Sequence, residues 1–526
     1  METLRKRPFL VLLVLAYLLY AAVYIYRSSV VVDGSRYFVL FDDAMISMRY
    51  AQHLADGHGL VWNIGEPPVE GFTNPLWVAY MTIFHLLPIP LPLTSLFIQV
   101  SGALFMAGTL VFVYLLVERY AHSALAPFLA GAVTAFYLPL NNWALQGMEV
   151  SVLCLLLSAA VWLALRNLDM DRFSYWPYVL LSLGVWTRTD MLVPMLTLTG
   201  VLALTDAKRR RTHLAWGLGL MAVSLGAQTV LRQAYFGAPL PNTYYLKVAG
   251  TPLILRVQRG VYTLGEFVYA FNWVLFGLPF VGLLLRRRRG PWIWALLFLG
   301  QIAYSVYVGG DAWESKGGAN RYLSITIPLY FALFALTVDD LRHLIQAHMP
   351  WERWRALVTW GALGFTLLSM VNMNLLLLNR SSLEHWLLIR RPPFTSASLD
   401  YVRMARALDR LTEPQARVAV VTAGAISYFS ERPTIDLLGK SDAYIARLPI
   451  HPADFKQLRP GHMKYDYDYS IGQLKPDVIV QLWGDKQPAK QYMKADYMVV
   501  EIDGLIFSAR SDSPYIHWEA ADSMYK

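Results

Sequence analysis

The chain has 526 residues, of which 56% are hydrophobic and only 16% charged, well below the roughly one-quarter charged share of soluble domains. Lipid rather than water must therefore surround most of it. The net charge of +9 does not point to nucleic acid, because the basic residues sit in short clusters beside apolar runs, where they set membrane topology. The single cysteine, Cys154, excludes an intrachain disulfide and, inside an apolar run, reads as a small buried hydrophobe.

Apolar runs of about 17 to 25 residues, each long enough for a hydrocarbon core of roughly 30 Å, recur from residue 9 to residue 378 and then stop. Arg5, Lys6 and Arg7 precede the first run, and no small-residue cleavage site follows it, so an uncleaved first helix with a cytoplasmic N-terminus is expected. Spans are expected near residues 9–26, 93–117, 124–140, 150–166, 174–188, 190–205, 212–231, 262–285, 291–308, 322–337 and 355–378. The clusters Lys208 to Arg211 and Arg286 to Arg289 mark cytoplasmic loops, and about eleven spans close the parity at each of them. This requires that 75–90, interrupted by Pro88 and Pro90, lie at the interface or re-enter rather than cross. Loops 27–92, 141–149, 232–261 and 309–321, the joint at 187–190 and everything after 379 then face outward.

After residue 379 the hydropathy falls, and period-two stretches at 418–421 and 477–481 alternate with helix-like segments such as 399–411. The expected organisation is a transmembrane domain over 1–378, carrying an external first loop at 27–92, and a soluble α/β domain over 379–526. No internal repeat is evident, which leaves transport by inverted repeats little support.

The first outward loop reads FDDAMISMRYAQHLADGHGLVWNIGEPPVEGFTNPLW and holds Asp42 and Asp43. Adjacent carboxylates repel, so one of them must carry a raised pKa or pair with a cation. A carboxylate there can deprotonate an acceptor hydroxyl, attack an anomeric carbon, hold a divalent cation, or cap the helix that follows. That helix presents Arg49 and His53 four residues apart, an anion-facing edge or a solvated face. The Trp62, Phe72 and Trp77 rings among loop glycines and prolines suit sugar faces or the membrane interface equally.

Polar motifs recur on the same expected side: Gln146 to Glu149, Thr187 to Asp190, PLPNTYYLK at 239–247 and GGDAWESKGGANR at 309–321. Arg188 and Asp190 within apolar surroundings are costly unless they pair with each other or face a cavity. Lys247, Lys316 and Arg321 are candidates for a lipid-linked phosphate, or snorkel to the interface. Glu149 and Asp311 are candidates to position an acceptor or a cation, Glu149 alternatively as a cap. Asn242 and Tyr244 are candidate substrate contacts. His462 and Lys464, in PGHMKYDY, either reach back to a donor phosphate or sit on a surface loop.

The run FDDAMISMRYAQHLADGHGLVWN with VEGFTNPLW, then ALQGMEVSVL, WTRTDMLV, YFGAPLPNTYYLK and YVGGD with RYL, resembles the bacterial membrane arabinofuranosyltransferases, which include transferases of the mycobacterial cell wall and of Pseudomonas pilin. The soluble part, VAVVTAGAISYFSERPTIDLLGKSDAYIAR, PGHMKYDY and LKPDVIV, is similar as well, so the matches run in order from about residue 40 to 480. The resemblance implies the C-type glycosyltransferase fold and an external active site fed by a polyprenyl-phosphate sugar. It also implies a catalytic acid in the first loop, at Asp42 or Asp43. TRTD stands where Arg-Pro-Asp is expected, and the GGD loop carries more polar residues than usual.

The expected activity is transfer of D-arabinofuranose from a polyprenyl-phosphate donor to a glycan or protein acceptor on the periplasmic face of a bacterial inner membrane. Arg188, Lys247, Arg321 and Lys316 would meet the donor phosphate, and Asp42 and Asp43 the reacting sugar. Arg49, Glu149, Asn242, Tyr244, Asp311, His462 and Lys464 would contact substrate. No P-loop or dinucleotide fingerprint stands in the required context, no cofactor is called for, and the residues leave open whether a divalent cation sits at the carboxylates. A modest soluble tail suits a protein acceptor such as pilin at least as well as a polysaccharide. Competing classes are a C-type transferase for another lipid-linked sugar such as aminoarabinose or mannose, a lipid-sugar transporter, and a non-catalytic scaffold.

Overall fold

The computed structural model describes residues 7–284, 289–314, 320–349, 351–375 and 380–525. Lys316 and the arginines at 286–288 lie outside these. The chain divides into two compact units, one formed by Met1–Arg27, Gln99–Ala227 and Leu253–Pro393, the other by Ser28–Ile98, Gln228–Pro252 and Phe394–Lys526. Compactness thus groups the first loop and a middle segment with the C-terminal residues, where the sequence suggests one boundary at 378/379.

The first unit is helical. Among the described residues, six helices in the chain are long and apolar enough to cross a membrane: Pro8–Ser28, Leu91–Glu118, Val150–Asp169, Ala207–Phe236, Gly290–Val308 and Glu352–Asn374. The span expected near 322–337 is the 21-residue helix Ile327–Ala347, which carries Asp339, Asp340 and Arg342 near its end, and the other expected spans are shorter or interrupted helices. Those near 124–140 and 190–205 are Leu125–Ala135 and Leu192–Thr205, and Trp176–Thr187 replaces 174–188. The single span expected at 262–285 is corrected to a pair, Leu253–Phe271 and Trp273–Leu284, bent by 93°. Asn272 makes the break: it adopts φ +76°, and its side-chain oxygen accepts the Val274 N–H at 3.0 Å, closing the next helix's first turn. The unit's core joins Leu153, Leu157, Tyr178, Trp294, Leu329 and Leu333, each almost fully buried.

The second unit begins with an antiparallel hairpin, β1 (Val30–Val32) and β2 (Ser35–Tyr37), turning on Asp33 and Gly34. The Asp42–Ala55 helix follows and packs against Pro75–His85. At 11 residues and roughly 16 Å, Pro75–His85 is too short to cross a hydrocarbon layer. The C-terminal residues form a six-stranded mixed sheet ordered β4-β3-β5-β7-β6-β8. Its strands are β3 (Val418–Val420), β4 (Thr434–Asp436), β5 (Val478–Ile479), β6 (Tyr497–Ile502), β7 (Leu505–Arg510) and β8 (Ser523–Tyr525). β3 pairs parallel with β4 and β5, and the other pairings are antiparallel. Ala419, Ile435, Leu437, Ile479, Tyr467 and Tyr497 make its core. The helices Ser398–Leu411 and Ala425–Ser430 pack together, and the latter lies on Asp42–Ala55.

Candidate functional site

Asp42 and Asp43 occupy the first turn of the Asp42–Ala55 helix, where a negative charge complements the helix dipole. The N-cap position before them is Phe41, which offers no side-chain cap. Asp42 Oδ1 accepts the N–H groups of Gly424 and Ala425, both at 3.0 Å. The approach is close enough that a Cβ on Gly424 would fall 2.0 Å from the Asp42 carbonyl oxygen, so only glycine fits. Burial pushes the Asp42 carboxyl up to about 6, against the opposing pull of Lys440 and the two N–H groups.

Asp43 pairs with a cation from far along the chain, Lys440. Lys440 Nζ donates to Asp43 Oδ1, and the two side chains are only 11% and 15% exposed. Burial alone would lower the Lys440 ammonium, but Asp43 and Asp42 outweigh it and hold it above its ordinary value. A raised pKa or a cation partner was legible from two adjacent carboxylates, and Lys440 is the only lysine of the 418–447 motif; what sequence lacks is the distance.

His462 lies within the field of Lys440, Asp43 and Lys247. Burial first, then Lys440, drives its imidazole down to about 3, so it is neutral at physiological pH. Its ring packs 5.4 Å from that of Trp483. Lys247 ends the short Asn242–Lys247 helix, and its stem lies against Gly461. Asp42, Asp43, Lys440, His462 and Lys247 thus fall in one neighbourhood of the second unit, with Lys247 joined to it through His462.

Other expected contacts in this unit do structural work. The Lys464 ammonium is buried and donates to the carbonyls of Tyr245, Ala249 and Ala446 at 2.8, 3.0 and 2.9 Å, which uses its three donors. Asn242 is also buried, and its amide donates to the carbonyls of Gly439, Lys440 and Asp442. Arg49 is no anion-facing edge: it is 2% exposed, and its guanidinium donates to the carbonyls of Trp62, Ser427 and Arg432 and to Asn63 Oδ1. His53 beside it is buried too and bonds the Val61 carbonyl. The aromatic loop is corrected in the same way. Trp62, Phe72 and Trp77 are buried, and Tyr50 packs on the first two, so these rings form core rather than a sugar platform or an interfacial belt. Tyr244 is exposed.

The first unit holds a separate group. Arg188 donates to Asp190 through two N–H groups at 2.7 and 2.8 Å and to Glu149 at 2.9 Å. The Arg188–Asp190 bridge is therefore formed, with Glu149 as a third member. Arg321 forks onto Asp311 at 2.7 and 2.9 Å, with its guanidinium carbon 5.3 Å from the Trp143 ring. Arg259 and Glu314, which no motif in the sequence singles out, extend this pairing to the 309–314 loop. Among the described residues, no group of three or more His, Cys, Asp or Glu side chains is arranged to hold a metal.

Residues 393–519 match a family model described as a domain of unknown function (DUF8728). Over 237 residues, 40% of this chain, the sequence is 31% identical to the terminal beta-(1->2)-arabinofuranosyltransferase of Corynebacterium glutamicum. The chain spans about a third, 33%, of that relative's length. The fold is that of ArnT from Cupriavidus metallidurans, solved in the apo state and bound to undecaprenyl phosphate. The TM-scores are 0.55 and 0.57, at 14% and 13% identity over 95% of this chain and 97% and 98% of those chains. The archaeal oligosaccharyltransferase AglB from Archaeoglobus fulgidus, in complex with an inhibitory peptide and a dolichol-phosphate, is also similar, with TM-score 0.50 and 12% identity over 97% of this chain and 75% of that one. The expected fold class is thereby met: a multi-pass helical membrane protein with the fold of ArnT and a C-terminal α/β domain.

Proposed function

We propose that this chain is a membrane glycosyltransferase that moves a D-arabinofuranosyl residue from a polyprenyl-phosphate donor to an envelope acceptor on the periplasmic face of the inner membrane. The observation that carries the reading is the buried first-loop pair, in which Asp42 Oδ1 accepts two backbone N–H groups while Asp43 Oδ1 accepts from the Lys440 ammonium. Asp43 takes the acceptor hydroxyl proton as the acceptor oxygen attacks the anomeric carbon and the carbon–oxygen bond to phosphate breaks. Polyprenyl phosphate leaves. Lys247 and neutral His462 are assigned to the phosphate, one as a charge and the other as a hydrogen-bond donor. If Asp43 instead attacks the anomeric carbon, the product keeps the donor's configuration, and NMR of the product separates the two routes.

The test is transfer by the full chain in lipid nanodiscs, with synthetic polyprenyl-phosphate arabinofuranose and pilin or arabinan acceptors. Asp43→Asn is expected to lower kcat by about 10²- to 10⁴-fold, with normal membrane expression. Neither transfer nor donor hydrolysis by the wild-type chain, or full activity of Asp43→Asn, would overturn the reading. A second reading, transfer of another lipid-linked sugar such as aminoarabinose or mannose, is favoured by one fact: the arabinofuranosyltransferase match covers 40% of the chain while the likeness to ArnT covers 95%. Parallel assays with those donors decide between them.

A further inference from the structure

We infer that Lys440 is a built-in counter-cation for the first-loop carboxylates, filling with a side-chain ammonium the place that a divalent ion takes at other paired carboxylates. The inference rests on the proposed transfer reaction and specifies how its reaction centre is charged. A buried carboxylate pair must be neutralised by a proton, a metal or a basic side chain. Here the ammonium donates to Asp43, and its charge is felt by Asp42.

The backbone carrying Lys440 is fixed from several directions. Asp436 accepts the Leu438 N–H at 3.0 Å on one oxygen and the Ser441 N–H at 2.8 Å on the other. Gly439 adopts φ +76°, and a Cβ there would meet the Ile445 side chain at 2.5 Å. Asn242 holds three carbonyls of the turn, at 2.9, 3.0 and 3.2 Å. Asp442 then starts the next helix by accepting from Tyr444 and Ile445. A turn this constrained places one ammonium at one point, which a surface lysine on a mobile loop does not do.

Groups from several elements face the pair. Asp42 comes from the same helix as Asp43, Asp436 from the turn, His462 from the 459–464 segment and Tyr401 from the Ser398–Leu411 helix. His462 is neutral and also feels Lys247, and Lys440 is a cation that donates directly to Asp43. Lys440 acts through Asp43 and is a positioning residue: it keeps that carboxylate ionised and aimed while the acceptor hydroxyl gives up its proton.

The experiment uses the full chain in nanodiscs. Wild-type transfer should persist in EDTA. Lys440→Met should lose about 100-fold in kcat, with little change in acceptor KM, and should lose activity at a higher pH on acidification. Lys440→Arg should restore part of the rate, and so should ethylammonium added to Lys440→Ala, which a purely structural lysine would not allow. Carbodiimide labelling of Asp43, followed by mass spectrometry, gives a readout independent of transfer. Labelling requires a protonated carboxyl and should extend to higher pH in Lys440→Met. If labelling shifts but no sugar moves in the wild type, the transfer reading fails and the counter-cation stands. If the wild type transfers but needs a divalent ion, or Lys440→Met keeps the wild-type rate, pH profile and labelling, the inference is overturned.

Discussion

The cations of the second unit differ in what their donors already hold, and that sorts them. Lys464 and Arg49 give theirs to carbonyls, so they fasten chain to chain, while Lys440 gives its charge to a carboxylate. His462 has a consequence for acid stability. Its folded-state value is about 3, against 6.5 ordinarily, so between those limits the unfolded chain binds a proton that the folded chain refuses. Stability present above pH 6.5 is therefore lost as pH falls towards 3. Asp42 works the other way: raised from 3.8 to about 6, it favours the folded state below 3.8, and that contribution is lost as pH rises through 6. His462→Gln should flatten the fall in Tm between pH 6.5 and 4. An unchanged slope would mean that His462 is solvated and titrates normally. Sequence exposes such residues as polar outliers, yet whether an arginine meets a phosphate or a carbonyl depends on partners hundreds of positions away. For this reason the charge compensation at Asp42 and Asp43 and the Arg188–Asp190 bridge were legible, whereas the tasks of Arg49 and Lys464 were not.

At the scale of elements, hydropathy located the helices better than it located their breaks. The strands at 418–420 and 478–479 and the helix Ser398–Leu411 lie where alternation and periodicity put them. The bend at Asn272 escaped because the apolar run continues through it, and one left-handed residue leaves no hydropathy signal. The contact of the Ala425–Ser430 helix with the Asp42–Ala55 helix is just as local. Gly424→Val would thrust a side chain into the Asp42 carbonyl, 2.0 Å from its Cβ, and overpacking of this kind costs about 1–3 kcal/mol. A matching fall in Tm is expected, together with faster proteolysis between residues 412 and 425. An unchanged Tm would show that the two helices can part without loss.

On the scale of the whole molecule, the second unit is built from three stretches of chain. Its C-terminal part has a core of its own around Ile435 and Ile479, but buried groups in it look to the other stretches. The Thr434 carbonyl accepts from Trp62 and Asn63, and its N–H donates to Asn63. Residues 394–526 expressed alone should therefore unfold with low cooperativity and bind hydrophobic dyes. A sharp thermal transition matching the full chain's would contradict this. The same arrangement imposes a schedule on biosynthesis. Arg49 donates to Ser427, 378 residues later in the chain. At about 5–20 residues per second, the ribosome needs roughly 20–75 s to supply that acceptor. Until then the guanidinium must stay hydrated or be shielded by a chaperone, so a message truncated before codon 427 yields a product that cellular proteases should recognise and clear.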